Sequence, residues 1–405
     1  MRRVVITGLG MINSLGHSRE ESFEAIVKGE CGVDTITLFN PEKFSVKIAA
    51  EVKNFNPSEV MEAKEVKKAD RFIQLGIKAA QEAISDSGID DSIDRDRFGV
   101  SCASGIGGLP VIEKNSIILH TRGPRRISPF FIPSALANML GGFVSIEHNL
   151  KGPNLGSVTA CAAGTHAICE GSKTVMLGGA DRMLVVGGEA AITGIGVGGF
   201  AAMKALSTRN DDPKTASRPF DKNRDGFVMG EGAGALVLEE YEMAKRRGAK
   251  IYAEIIGFGE SGDANHITIP TTDGPLRAMR GAFDMAGRPK IDYINAHGTS
   301  TPINDANETK AIKELLGSGV KYPAISSTKG QIGHCLGAAG AIEAVITIMA
   351  MEKNIVPPTI NYTTADPECD LDYVPNVARE INVEVAMSNS FGFGGTNGVV
   401  IFRKV

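Results

Sequence analysis

Short apolar runs closed by glycines or polar loops alternate along the chain with longer stretches suited to helices. Residues 4–10 predict a buried first strand ending in a glycine turn at Gly8 and Gly10. Residues 62–88 predict a helix pair, on which Lys64, Lys67, Lys68 and Arg71 recur at i, i+3, i+4 and i+7 and so share one face. Such a face is either simply solvated or a docking patch for an acidic partner. Residues 100–108 begin as a strand and end in a glycine loop, and the proline-bounded segment 128–133 reads as a buried loop or interface rather than a helix. Residues 183–189 form a further buried strand, and 235–239 another, followed by a basic helix through Lys250.

A second half then begins. Residues 253–259 echo 4–10, and 334–342 echo 160–168, which sets Cys335 opposite Cys161. The matching order of the two echoes predicts a duplicated βα unit, with halves at 1–250 and 251–405. Strands alternating with helices place the chain in the α/β class, with mainly parallel sheets covered on both faces.

Candidate chemistry collects at four of these junctions. At 156–168 the short residues to Thr159 suit a strand end, and the small residues after Ala160 suit a helix packed tightly on a sheet. Cys161 then stands at a helix N-terminus, where unpaired N–H groups and the helix dipole favour a thiolate. A nucleophile and a small buried core residue are both open on this segment alone. In the second half His297 follows a strand at 291–296, Lys329 and His334 follow a strand at 324–328, and Phe393 lies in a glycine loop between the last two strands. Two of the seven histidines thus stand just beyond strand ends, where open α/β sheets place ligands.

Composition narrows the alternatives. A net charge of −4 recommends no nucleic-acid partner. Six scattered cysteines without a C-x-x-C pair suit reduced thiols in a cytoplasm rather than a disulfide scaffold. The most apolar stretch, 190–203, is short and broken by glycines, so no membrane span is expected. Asn13 stands where a dinucleotide fingerprint needs its third glycine, and there is no P-loop, which weakens a nucleotide-binding oxidoreductase. Residues 221–232 resemble a calcium loop but carry Gly232 where the bidentate Glu belongs, so they read as a turn.

Taken together, Thr-Ala-Cys161, Asn-Ala-His297-Gly-Thr-Ser-Thr-Pro, Ser-Ser-Thr-Lys329 followed by Gly-His334, and Asn-Ser-Phe-Gly-Phe393-Gly-Gly-Thr-Asn resemble the β-ketoacyl-acyl-carrier-protein synthases of the elongating type, nearly end to end. The resemblance implies a thiolase-like layered fold of two duplicated βα halves, usually a homodimer. It implies an acyltransferase of fatty acid biosynthesis that joins an acyl group on Cys161 to malonyl-acyl-carrier protein by decarboxylative Claisen condensation. His297 and His334 would serve decarboxylation and condensation, with Lys329 and Glu308 ordering the site. The N–H groups of Cys161 and Phe393 would form an oxyanion hole, and Phe393 would gate acyl entry. Thr299 and Thr301 would bind the pantetheine arm, Phe227 would line its inner end, and His266 and Phe200 would join the substrate-binding wall. Ile106 would sit at the bend of the acyl pocket, and Lys64, Lys67 and Lys68 would dock the acyl carrier protein. No metal and no organic cofactor is implied beyond the phosphopantetheine on which the substrates ride; whether a monovalent ion sits near Glu308 is left open. Two positions depart from the family pattern: Ile332 replaces a threonine before His334, and Ile269 replaces a serine near the pantetheine channel.

These residue types suit that chemistry. A thiolate both attacks and leaves well, so the acyl-enzyme forms and discharges easily. Two imidazole N–H donors can hold the malonyl thioester oxygen as charge collects on it, while two backbone N–H groups hold the other oxyanion. The enzymatic rival is a thiolase, with Cys335 as its second cysteine. The non-catalytic rival is a chain-length scaffold subunit, which lacks the cysteine.

Overall fold

The computed structural model describes residues 1–90, 92–317 and 321–405. Ten strands form its main sheet: β1 (Val4–Ile12), β2 (Phe98–Ala103), β3 (Asn154–Ser157), β4 (Arg182–Glu189), β5 (Gly232–Glu240), β6 (Ala253–Gly262), β7 (Tyr293–Asn295), β8 (Ala324–Ser326), β9 (Val385–Gly392) and β10 (Thr396–Arg403). Their order is β8-β7-β9-β10-β6-β1-β5-β4-β2-β3. Counted outward from the central β1–β6 pair, the first half runs β1-β5-β4-β2-β3 and the second β6-β10-β9-β7-β8, so the duplication expected from the echoes is a repeat of sheet order. Parallel pairing, expected to predominate, holds in the outer thirds, where crossover helices join β2, β3, β4 and β7, β8, β9. The five central pairings are antiparallel.

The glycines of β1 make a close approach rather than a turn. All nine residues of the strand are buried and extended. A Cβ at Gly8 would come 2.1 Å from the Ala83 carbonyl, and one at Gly10 2.0 Å from that of Ala79, both on α1 (Arg71–Ser87). Gly257 and Gly259 on β6 repeat this against Ala282 and Ala278 on a later helix, at 2.3 and 2.0 Å. Helix backbone therefore lies directly on strand backbone in both halves, which only glycine permits.

The expected helix pair over 62–88 is broken. Ala63–Val66 is a single turn, and Asp70 caps a separate α1 by accepting from the Phe72 N–H. The four basic residues therefore share no face. Lys64 and Lys68 pair with Glu62 and Glu65, Lys67 is exposed, and Arg71 turns inward onto buried Glu231 at 2.7 Å. The basic helix after β5 stops at Arg246, four residues short of Lys250, because Gly248 takes φ +67°. The 128–133 segment contributes to a short helix, Phe131–Ala135, and its apolar side chains are exposed, Ile132 at 58%.

Four further helices matter for the site: α2 (Leu109–Arg122), α3 (Ala163–Met176), α4 (Gly194–Ala202) and α5 (Asp273–Met285). They are followed by α6 (Pro302–Leu316) and α7 (Ala339–Lys353). Helices α3 and α7 pack on each other and on strands of both halves, and the largest hydrophobic cluster surrounds them. In α7 every residue from Ala339 to Met351 is buried, so it is apolar around its whole circumference apart from Glu343 and Thr347. Each fully buried Ile, Val or Met there contributes about 1.5–3 kcal/mol.

Candidate active site

Cys161 lies in a 3-10 turn, Ala160–Ala162, between β3 and α3. Ala160 takes φ +49°, a strained conformation for a residue with a side chain. The same elbow precedes α7: Leu336–Ala338 is a 3-10 turn opened by Leu336 at φ +45°. The counterpart of Cys161 is therefore Gly337, not Cys335, and the sequence echo was two residues out of step. The helices set the offset, because Gly164 and Gly340 pack reciprocally: a Cβ on the former would meet the Ala341 nitrogen at 2.6 Å, and on the latter the Thr165 nitrogen at 2.5 Å.

Burial opposes the thiolate that a helix N-terminus favours. Burial pushes the Cys161 thiol up to about 11, while Lys329 and the Phe393 N–H, which points at the sulfur, pull it down. A thiol at that value is about one ten-thousandth ionised at pH 7.

His297 follows β7, and its loop is clamped by Glu308 of α6. The carboxylate accepts from the backbone N–H groups of His297 (2.9 Å) and Gly298 (2.8 Å) and from the Asn389 amide on β9 (3.0 Å). Burial pushes Glu308 up to about 7 against the pull of these donors. His334 is held by its main chain: its N–H donates to Val228 O (2.7 Å), and its carbonyl accepts from Gly230 N (2.9 Å). The two imidazoles meet edge to face with centroids 5.5 Å apart, His297 against Phe391 and His334 against Phe227. Burial, reinforced by Lys329, pushes both far below the usual imidazole range, so each is neutral with one N–H to donate. Both ring nitrogens of His334 and Nδ1 of His297 have no hydrogen-bond partner among the described residues.

Lys329 does not touch Glu308. Its ammonium pairs with Glu343 of α7, and both side chains are about 1% exposed. Sequence reasoning passed over Glu343, although a single carboxylate within an apolar helix signals a buried partner. It also passed over His166 of α3, which bridges Thr159 Oγ1 (2.7 Å) and Asn397 O (3.1 Å). The Phe393 loop is a hairpin between β9 and β10, turning through Gly394 and Gly395 at φ +83° and +68°. Thr396 Oγ1 pins it to Thr159 O at 3.0 Å, which brings the Phe393 N–H to the Cys161 sulfur.

Cys161, His297, His334 and Phe393 line one cavity of about 350 Å³. Phe200, Phe227, His266, Thr299 and Thr301 line it too, with the Thr299 and Thr301 hydroxyls 2.9 Å apart and Phe200 against Phe227 at 5.5 Å. Of the two departures, Ile269 lines the cavity, whereas Ile332 is buried in the core. Cys335 is buried away from the wall, and burial raises its thiol far above the ordinary value. Ile106 lies outside the cavity wall on the loop leaving β2, and Lys64, Lys67 and Lys68 do not line it either. The calcium-like turn is spent internally: Asp221 accepts from Thr363 N and Thr364 N (both 2.7 Å) and pairs with Arg218. No group of three His, Cys, Asp or Glu suited to a metal ion occurs among the described residues.

Residues 1–244 match the family described as Beta-ketoacyl synthase, N-terminal domain, and 252–363 match its C-terminal domain. The 3-oxoacyl-[acyl-carrier-protein] synthase 2 of Coxiella burnetii is 51% identical over all of this chain and 99% of its own length, and that of Staphylococcus aureus 50% over all of this chain and 98% of its own. Among solved structures, a beta-ketoacyl synthase from Burkholderia phymatum superposes with TM-score 0.93 at 38% identity, covering both chains fully. A type II PKS acyl-carrier protein in complex with its ketosynthase bound to the hexaketide gives 0.92 at 35%, over all of this chain and 99% of that one. No helix among the described residues is long and apolar enough to cross a membrane.

Proposed function

The chain belongs to the beta-ketoacyl synthase family, and from that premise we propose that it is a 3-oxoacyl-[acyl-carrier-protein] synthase of fatty acid chain elongation, with Cys161 as nucleophile. One observation carries this reading: two neutral imidazoles with unpartnered nitrogens face the cavity that also holds Cys161 and the Phe393 N–H.

In the first half-reaction Cys161 sulfur bonds to the acyl carbonyl carbon, and the carrier thiol leaves with the proton that Cys161 gives up. The N–H groups of Cys161 and Phe393 hold the tetrahedral oxyanion, fixed in place before the substrate arrives. In the second, malonyl thioester loses carbon dioxide, and the imidazole N–H groups of His297 and His334 hold the enolate oxygen. The carbanion attacks the acyl carbon, the Cys161 thiolate leaves, and it recovers a proton from solvent. Glu308 holds the His297 loop, and burial, reinforced by the Lys329 charge, keeps both histidines neutral. Thr299 and Thr301 offer hydroxyls to the pantetheine amides, Phe227, Phe200 and His266 line its passage, and Phe393 gates the acyl group.

The half 1–250 brings the nucleophile, and 251–405 the histidines, Lys329 and the Phe393 loop. An acidic acyl carrier protein docks beside Lys64, Lys67 and Lys68. The chain works as a homodimer in the cytoplasm, supported by the exposed end strand β3 and the exposed Phe130, Ile132 and Leu136 nearby in the first half. The reaction requires no metal or organic cofactor apart from the carrier's phosphopantetheine.

The test is incubation with malonyl-carrier protein and a series of acyl-carrier proteins, with products identified by mass. A product two carbons longer with a 3-oxo group, formed with carbon dioxide, is expected. Condensation of unactivated acetyl groups without carbon dioxide release would instead make the protein a thiolase.

A further inference from the structure

A buried carboxylate that takes no part in this chemistry stands at the end of β4. Glu189 is fully buried, and four donors converge on it. One oxygen accepts from Ser104 Oγ (3.0 Å) and Ile106 N (3.3 Å), the other from Gly105 N (2.6 Å) and Gly337 N (2.9 Å). The carboxylate thus joins the loop leaving β2 to the turn before α7, across the two halves. The two backbones touch there: a Cβ on Gly337 would come 2.0 Å from the Gly105 nitrogen. Leu336, the neighbour of Gly337, lines the cavity.

The internal repeat shows what this carboxylate replaces. Gly234 on β5 lies against Ile342 of α7, and Gly398 on β10 lies equivalently against His166 of α3. Gly234 pairs with Gly187 and Gly398 with Ser390, so two residues further along each strand Glu189 corresponds to Gly392. A Cβ on Gly392 would approach Thr159 O at 2.9 Å and Ala162 N at 3.2 Å, beside the nucleophile turn. At equivalent positions, one half carries a carboxylate that closes the amide of Gly337, and the other carries no side chain beside the Cys161 turn.

We propose that Glu189 is a positioning residue that locks the Ile106 loop to the Leu336 turn and thereby sets which acyl lengths the site accepts. The proposal rests on the reading of Cys161 as the acyl-accepting nucleophile, with Leu336 in the wall of its cavity. An ionised carboxylate suits four donors because it only accepts, and such charge-assisted bonds are short and strong. A glutamine keeps the shape but offers one oxygen, and its NH2 group would face one of the two donor pairs.

The experiment measures Cys161 acylation kinetics of the full-length protein with a short and a long acyl-carrier protein, in the parent and in Glu189→Gln. The expected result is a KM for the long acyl group raised on the order of tenfold, kcat little changed, and short-chain kinetics preserved. Carbon dioxide release from malonyl-carrier protein should also stay at the parental rate. An unchanged length profile, or an equal fall in kcat at both lengths, overturns the proposal. Should Glu189→Gln fail to fold, as judged by circular dichroism, Ser104→Ala removes one of the four donors and decides the question. A smaller shift in the same direction supports the lock, and a parental profile overturns it. Absence of acylation in the parent protein overturns the underlying function as well, whereas normal parental acylation with unaltered variants overturns the Glu189 role alone.

Discussion

Replacing either cavity histidine by alanine should separate the two half-reactions. In the proposed mechanism acyl transfer uses Cys161 and two backbone N–H groups, which neither substitution removes. Decarboxylation uses the two ring donors, held edge to face at 5.5 Å and neutral because burial and Lys329 disfavour the imidazolium. The nitrogens of His334 have no hydrogen-bond partner among the described residues, which leaves its N–H for a developing enolate oxygen. Loss of one such preorganised donor costs on the order of 3 kcal/mol, or roughly a hundredfold or more in rate. In His297→Ala and His334→Ala, single-turnover acylation followed by mass should therefore stay near the parental rate, while labelled carbon dioxide release from malonyl-carrier protein falls by at least that factor. Because both imidazoles titrate well below their usual value, release by the parent should stay level as pH falls from about 8 to about 6. Near-parental release in both variants would refute the donor role. Loss of acylation in both, with the fold intact, would instead make a histidine the base for Cys161. A release rate that climbs on acidification through pH 6–7 would show that imidazolium is the working form.

Other consequences follow from the same geometry. Iodoacetamide should label the Cys161 peptide and spare Cys335, at a rate that rises with pH without a plateau near neutrality, because burial places the Cys161 thiol at about 11. A neutral plateau would mean that the helix N-terminus outweighs burial. Glu343→Ala leaves the Lys329 ammonium buried without a partner and should cost about 3–5 kcal/mol in urea unfolding, which Lys329→Met with Glu343→Leu should largely restore; parental stability of the single variant refutes this. Changing Lys67 and Lys68 to Glu should slow acylation from carrier-bound substrates, more at low salt, and leave free thioester analogues unaffected. Equal rates at low salt would assign those lysines to solvent alone.

The residues that meet in the cavity stood out in the sequence because their local contexts are distinctive: a cysteine among small residues at a strand-to-helix elbow, histidines just past strand ends, and a glycine loop between the final strands. The duplication was legible too, yet its register was not. Cys335 matched Cys161 by letter, while the packing of Gly164 on Gly340 places Gly337 there instead. The basic face was misread for a related reason. Its spacing fits one helix, but the first turn stops at Val66, Asp70 caps a new helix, and Arg71 turns inward to Glu231.

By itself, the chain determined its α/β class, its division into repeating halves, and the side chains that gather in the cavity. Those properties reside in local spacing and residue type, which survive without knowledge of the partner segments. Tertiary structure alone decided which buried charges meet, Lys329 with Glu343 and Glu308 with the His297 loop, since these pairs span distant elements. It also decided protonation. The same cysteine that a helix N-terminus would ionise is held as a thiol by the desolvation that other segments impose, and the histidines are neutral for the same reason.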